Sequence, residues 1–111
     1  MLYLMMEMGD EASSQLSYLL GNNANSYCFV TGYGTLSPTG THHRPSQATG
    51  KTMKGMLVGG PNSNLEDPYA QATLKDAAPA KCYVDNEQSF SCNEVTIYWN
   101  SPLVYLIAGM K

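Results

Sequence analysis

Tyr83-Val84-Asp85-Asn86-Glu87-Gln88-Ser89-Phe90-Ser91-Cys92-Asn93-Glu94-Val95-Thr96 is the stretch on which the reading of this chain turns. It sets carboxylates among aromatic and apolar residues. Asp85 and Glu94 therefore lie where loss of solvation can favour the neutral acid. A general acid working near neutral pH needs such surroundings. Two acidic residues in a loop are also an ordinary solvated pair, and the stretch alone does not separate the two.

Downstream, Val95 to Trp99 is β-branched and aromatic and reads as extended or irregular. Ser101 can then cap a helix with Pro102 at its first position, where a missing N–H costs nothing. Leu103, Leu106, Ile107 and Met110 give that helix an apolar face, and it is apolar nearly all round. Such a helix is covered by a partner.

Upstream, Gly, Pro, Asn, Ser and Thr crowd the region from Gly32 to Lys81 and predict a long loop. A loop of that length is functional or disordered. Tyr33, Met56-Leu57-Val58 and Tyr69 favour a functional one. It contains Thr41-His42-His43-Arg44-Pro45-Ser46, whose histidines and arginine are binding candidates or plain solvated loop residues. No ligand pair with metal-site spacing accompanies His42, so no metal is assigned. Before the loop, Asp10 is an N-cap candidate, and Glu11 adds charge to the first turn. Leu16, Leu19 and Leu20 share a face, and Gly21 stands where a C′ glycine ends a helix.

Composition bounds the rest. Charged residues are only 14% of the 111, against about a quarter in an average domain. A piece of a larger domain and a small secreted domain both fit that value. The net charge of −3 argues against nucleic acid as a partner. Leu103 to Ala108, the longest apolar run, is too short to cross a bilayer. Met1 to Met6 has no basic residues before it and does not read as a signal peptide. Cys28, Cys82 and Cys92 are odd in number; free thiols are favoured over a Cys82–Cys92 bridge.

The residues now fall into a pattern. Tyr83, Asp85, Phe90, Glu94, Thr96 and Asn100-Ser101 occupy every defined position of the second signature of family 9 glycoside hydrolases, which this chain resembles. Phe29-Val30-Thr31-Gly32-Tyr33-Gly34 leading to His42-His43-Arg44 is similar to the family's other signature, with departures at Cys28, Leu36 and Thr41. Leu57-Val58-Gly59-Gly60-Pro61-Asn62 looks like its Val-Gly-Gly-Pro turn. The resemblance runs from about Asp10 to the end.

The resemblance implies a mainly α chain with long loops, residues 1–111 being the C-terminal portion of an (α/α)6 barrel catalytic domain and incomplete without the rest upstream. It implies hydrolysis of β-1,4-glucosidic bonds in cellulose and related glucans, with inversion. Glu94 would be the general acid. Asp85, placed with it in the catalytic pair, would orient and tune the site. His42 and Arg44 would bind the sugar beside the scissile bond. Tyr33, Tyr83 and Trp99 would pack or stack, with packing favoured. No cofactor is implied, and the parent enzyme would be secreted. The family's base lies in an Asp-Ala-Gly-Asp run that this sequence lacks; its carboxylates before the histidines are Glu7, Asp10 and Glu11. The chain alone would thus be inactive. Its alternatives are a glucan-binding remnant without chemistry and a truncated product without function.

Overall fold

A computed structural model describes residues 1–110. Six α-helices and one 3₁₀ turn follow in order: α1 (Leu2–Met5), α2 (Gly9–Leu19), α3 (Arg44–Thr49), α4 (Pro68–Leu74), the 3₁₀ turn (Pro79–Lys81), α5 (Phe90–Asn93) and α6 (Ile97–Gly109). Among the described residues the β-structure consists of isolated bridges: Val30 with Leu57, Val58 with Val95, and His42 with Glu94. The fold is mainly helical with long loops, as expected.

Helix α2 begins two residues before the expected start, with Met8 at its N-cap and no side-chain cap. Asp10 and Glu11 lie instead inside the first turn, where the helix dipole still favours their charge. Gly21 directly follows the C-cap Leu20 and adopts φ +128°, a positive φ open to glycine.

The expected loop from Gly32 to Lys81 contains two short helices. Helix α3 carries Pro45 in its first turn and ends at Gly50, whose φ is +66°. Helix α4 starts on the pair Asp67-Pro68, and the Asp67 carboxylate accepts from the Ala70 N–H. Both use proline at the start, and α3 closes on a left-handed glycine, which is the usual asymmetry of helix ends. Each is too short to hold itself in water, so tertiary contacts maintain them.

Helix α6 corrects a second boundary. It starts at Ile97, and Thr96 rather than Ser101 caps it, accepting from the Tyr98 N–H at 3.2 Å. Pro102 lies inside the helix, where it forfeits one backbone hydrogen bond. Two side chains favour the earlier start. Trp99 donates its indole N–H to the Leu57 carbonyl, and Asn100 both donates to that carbonyl and accepts from the Leu57 N–H. Those bonds hold residues 99 and 100 in the helical turn.

The core is small. Cys28, Phe29, Val30, Leu57, Val58, Ala70, Tyr83, Cys92 and Leu103 form it, with Leu16, Leu19 and Trp99 packed at its margin. Tyr27, Phe29 and Tyr83 pack ring to ring, the Phe29–Tyr83 pair edge-on at 4.9 Å. Edge-on packing matches the charge distribution of aromatic rings. All three cysteines are buried free thiols, as favoured from sequence. Core residues come mostly from the segments 28–31, 56–60 and 82–95, which lie largely outside the helices.

Candidate active site

Glu94 closes the one-turn helix α5 and leaves it in extended backbone, φ −69° and ψ 145°. Extension lets it pair on both sides. Its carbonyl accepts from the Gly59 N–H at 3.1 Å, within the Val-Gly-Gly-Pro turn. On the other side it forms a parallel bridge with His42, whose N–H donates to the Asn93 carbonyl at 2.8 Å. The histidine loop and the acid segment are thereby locked in register. The Glu94 side chain is half-buried.

Two depressions meet at Glu94. One, of about 370 Å³, is lined by His42, His43, Arg44, Pro45, Glu94 and Val95. The other, of about 510 Å³, includes Phe90, Trp99 and Glu66 with Glu94. The structure thus gathers three of the four expected site residues, Glu94, His42 and Arg44, around one hollow.

Each is held differently. The His42 Nδ1 lies 2.7 Å from the Glu87 carbonyl. A carbonyl only accepts, so Nδ1 carries the proton, and Nε2 is the atom left for a ligand. The Phe90 ring stands edge-on to the imidazole at 6.1 Å. Arg44 is exposed at the start of α3. His43 turns aside, its Nδ1 2.9 Å from the Ser46 hydroxyl.

Asp85 lies behind the hollow, with both carboxylate oxygens occupied. One accepts from the Gly40 N–H at 2.9 Å and the Asn93 amide at 2.8 Å. The other accepts from the Thr39 N–H at 2.8 Å, the Thr39 hydroxyl at 3.0 Å and the Tyr27 phenol at 3.1 Å. Burial pushes the Asp85 pKa up, but these hydrogen bonds outweigh it and hold the carboxyl below its ordinary value. The same charge acts back on its neighbours. Burial first, and Asp85 second, push the Tyr27 phenol up to about 12 and the Tyr83 phenol far above its usual range. Asp85 is therefore a stable anion committed to joining the histidine loop to the acid segment. Gly40 permits the approach: a Cβ there would lie 3.3 Å from the Asn86 Cα and the Glu87 nitrogen.

Two further residues of this region escape a reading of spacing. Asn93 is fully buried; its amide donates to Asp85 and to the Gly40 carbonyl, and its oxygen accepts from the Tyr83 phenol at 2.7 Å. Asp67 is equally buried and bonds to Ser89 and Ser91 at the start of α5. Its cap role was legible in the Asp67-Pro68 pair; its bonds across 22 and 24 residues were not. Of the expected aromatics, Tyr83 packs in the core, while Tyr33 is exposed beneath the Lys54 ammonium at 4.6 Å. Trp99 lines the larger hollow.

The comparison with known proteins follows the same residues. The sequence profile of glycosyl hydrolase family 9 matches residues 3–107. The chain belongs to this family. This family 9 chain is 42% identical over 98 residues to a cellodextrinase of Butyrivibrio fibrisolvens, covering 86% of itself and 18% of the relative. It is 43% identical over 101 residues to a xyloglucan-specific endo-beta-1,4-glucanase of Bacteroides ovatus, covering 89% of itself and 17% of the relative. Among solved structures, a single mutant of the thermostable endoglucanase from Alicyclobacillus acidocaldarius superposes with a TM-score of 0.89 at 41% identity, over 93% of this chain and 20% of the other. The chain spans about a fifth of the length of these relatives.

Proposed function

We propose that this chain is the acid-side part of a family 9 catalytic domain that hydrolyses β-1,4-glucans such as cellulose with inversion. The observation that carries the reading is the shared hollow of Glu94, His42 and Arg44, with His42 and Glu94 in register across a bridge. Glu94 protonates the leaving glycosidic oxygen. His42 and Arg44 grip sugar hydroxyls beside it; with Nδ1 bonded to the Glu87 carbonyl, Nε2 is the ring atom left for a hydroxyl. Asp85 positions this pair rather than touching sugar, since five donors already occupy it.

Inversion requires a base about 6.5–9.5 Å from the acid, with a water between them. We assign that base to the remainder of an (α/α)6 barrel upstream, because no Asp-x-x-Asp spacing occurs in this sequence. The outer face of α6 supports an absent partner: Ile97, Tyr98, Val104, Tyr105 and Ile107 are all exposed. The names of the relatives, endoglucanases and a cellodextrinase, support the glucan substrate. An insoluble polymer as substrate supports secretion of the parent enzyme.

Hydrolysis of carboxymethyl-cellulose tests the reading. The 111-residue chain alone is expected to release no reducing sugar. Mixed with, or fused behind, the upstream part of the catalytic domain it is expected to become active, and Glu94→Gln should remove that activity by at least a hundredfold. Hydrolysis by the chain alone, or full activity in Glu94→Gln, would overturn the assignment. Glucan binding that Arg44→Ala abolishes, with no hydrolysis in any combination, would instead identify a binding remnant.

A further inference from the structure

Helix α5 is four residues long, and one turn of helix cannot hold its own position. Yet it ends on Glu94 and carries Phe90, the ring against His42. Something outside α5 must fix it. Its carbonyl side is taken by the Val-Gly-Gly-Pro turn: Gly60 N–H donates to the Cys92 carbonyl at 2.8 Å, and the Asn62 amide to the Ser91 carbonyl at 3.3 Å. Its donor side is taken by Asp67.

Asp67 is fully buried, and one of its oxygens accepts three bonds from the start of α5. The Ser89 hydroxyl donates at 2.7 Å and the Ser91 N–H at 3.0 Å, with the Ser91 hydroxyl as the third. The other oxygen accepts from the Ala70 N–H at 2.7 Å and caps α4. Ser89 is the N-cap residue of α5, but its hydroxyl makes no cap bond; it is given to Asp67 instead. All four donors are neutral. Burial alone would raise the Asp67 pKa, but the bonds from Ser91, Ala70 and Ser89 more than offset that and keep the carboxyl below its ordinary value. A buried anion held this way is costly to displace. The residue before the adjoining Glu66, Leu65, sits at φ +49°, a conformation that a leucine adopts only when its surroundings impose it.

We propose that Asp67 is a positioning residue of the active site, clamping α4 to α5 so that Glu94 and Phe90 are presented to the hollow at His42. It touches no sugar. Its effect passes through Ser89 and Ser91 to Glu94. The functional half of this inference rests on the reading of Glu94 as the acid; the mechanical half does not.

The Ser89→Ala/Ser91→Ala double variant tests it. This pair keeps Asp67 and the α4 cap and removes two of the three links to α5. Amide hydrogen exchange in the 111-residue chain is the first readout. The bonded amides of His42, Asn93, Gly59 and Gly60 should exchange at least tenfold faster, while those of Phe29 and Thr31, bonded to Leu19 and Met56, keep their rates. Uniform acceleration would show a general loss of stability and overturn the proposal, as would unchanged rates at all six. The His42 ring proton resonances should also shift as Phe90 moves. Asp67→Asn, which keeps one acceptor oxygen, should give a smaller exchange effect than Asp67→Ala. In the completed catalytic domain the double variant should lower kcat at least tenfold with KM within twofold. If Glu94→Gln is fully active there while the exchange result holds, the acid assignment fails and the clamp stands. If the exchange result fails while Glu94→Gln is inactive, the clamp fails alone.

Discussion

Asp85 accepts from Thr39, Gly40, Asn93 and Tyr27, and that commitment gives it a pH signature. Its folded-state pKa lies below the ordinary value of 3.8, as does that of Asp67. The unfolded chain therefore binds more protons than the folded one as pH falls below about 4, and stability is lost through that window. Urea midpoints should be flat from about pH 5 to 8 and then fall as the solution is acidified. Asp85→Asn should lower the plateau and flatten the acid limb. An acid limb as steep in the variant as in the parent would show that Asp85 does not carry it. On the alkaline side Tyr27, raised to about 12, keeps its proton when the unfolded phenol has lost it, so stability should decline above pH 10. At this scale the sequence was informative for types and poor for roles. The Tyr83–Asp85–Phe90–Glu94 spacing marked both carboxylates, but tertiary contacts, most of them to residues more than 40 positions away, separated the open Glu94 from the occupied Asp85.

Helix boundaries show how local signals compete. Ser101-Pro102 is a sound start signal, yet Thr96 caps α6 because the Leu57 backbone captures Trp99 and Asn100. Those bonds join residues 42 and 43 positions apart, so no window of local sequence contains them. Thr96→Ala should cost about 1 kcal/mol, the usual worth of an N-cap, whereas Ser101→Ala, which loses only a hydroxyl bond back to the Ile97 carbonyl, should cost less than about 0.5 kcal/mol. Chemical denaturation of the two variants ranks them; the opposite order would restore the later start. In contrast, α3 and α4 have their end signals in Pro45, Gly50 and Asp67-Pro68, but each is under eight residues, too short to show an apolar periodicity.

The whole molecule carries an apolar surface that its own core does not use. Ile97, Tyr98, Val104 and Ile107 on α6 are each more than half exposed, and Tyr105 nearly so. Leu103 and Leu106 on the opposite face are buried. A helix apolar on both faces is made to lie between two layers, and here one layer is present. Contiguous exposed apolar area of this kind drives association. The isolated chain should self-associate, with light scattering that rises with concentration, and Tyr98→Lys with Val104→Lys should suppress it without lowering helix content. A strictly monomeric parent chain at high concentration would contradict this. Residue types at fixed spacing were enough to give the family and the two-faced character of α6, and to single out Glu94, His42 and Arg44 as candidates, because those properties reside in side-chain chemistry and periodicity along the chain. The clamp at Asp67, the occupied state of Asp85, the buried amide of Asn93 and the true start of α6 depended on the tertiary structure. Each is a hydrogen bond between segments distant in sequence, formed because a polar group that folding buries must find its partner wherever the packed chain brings one.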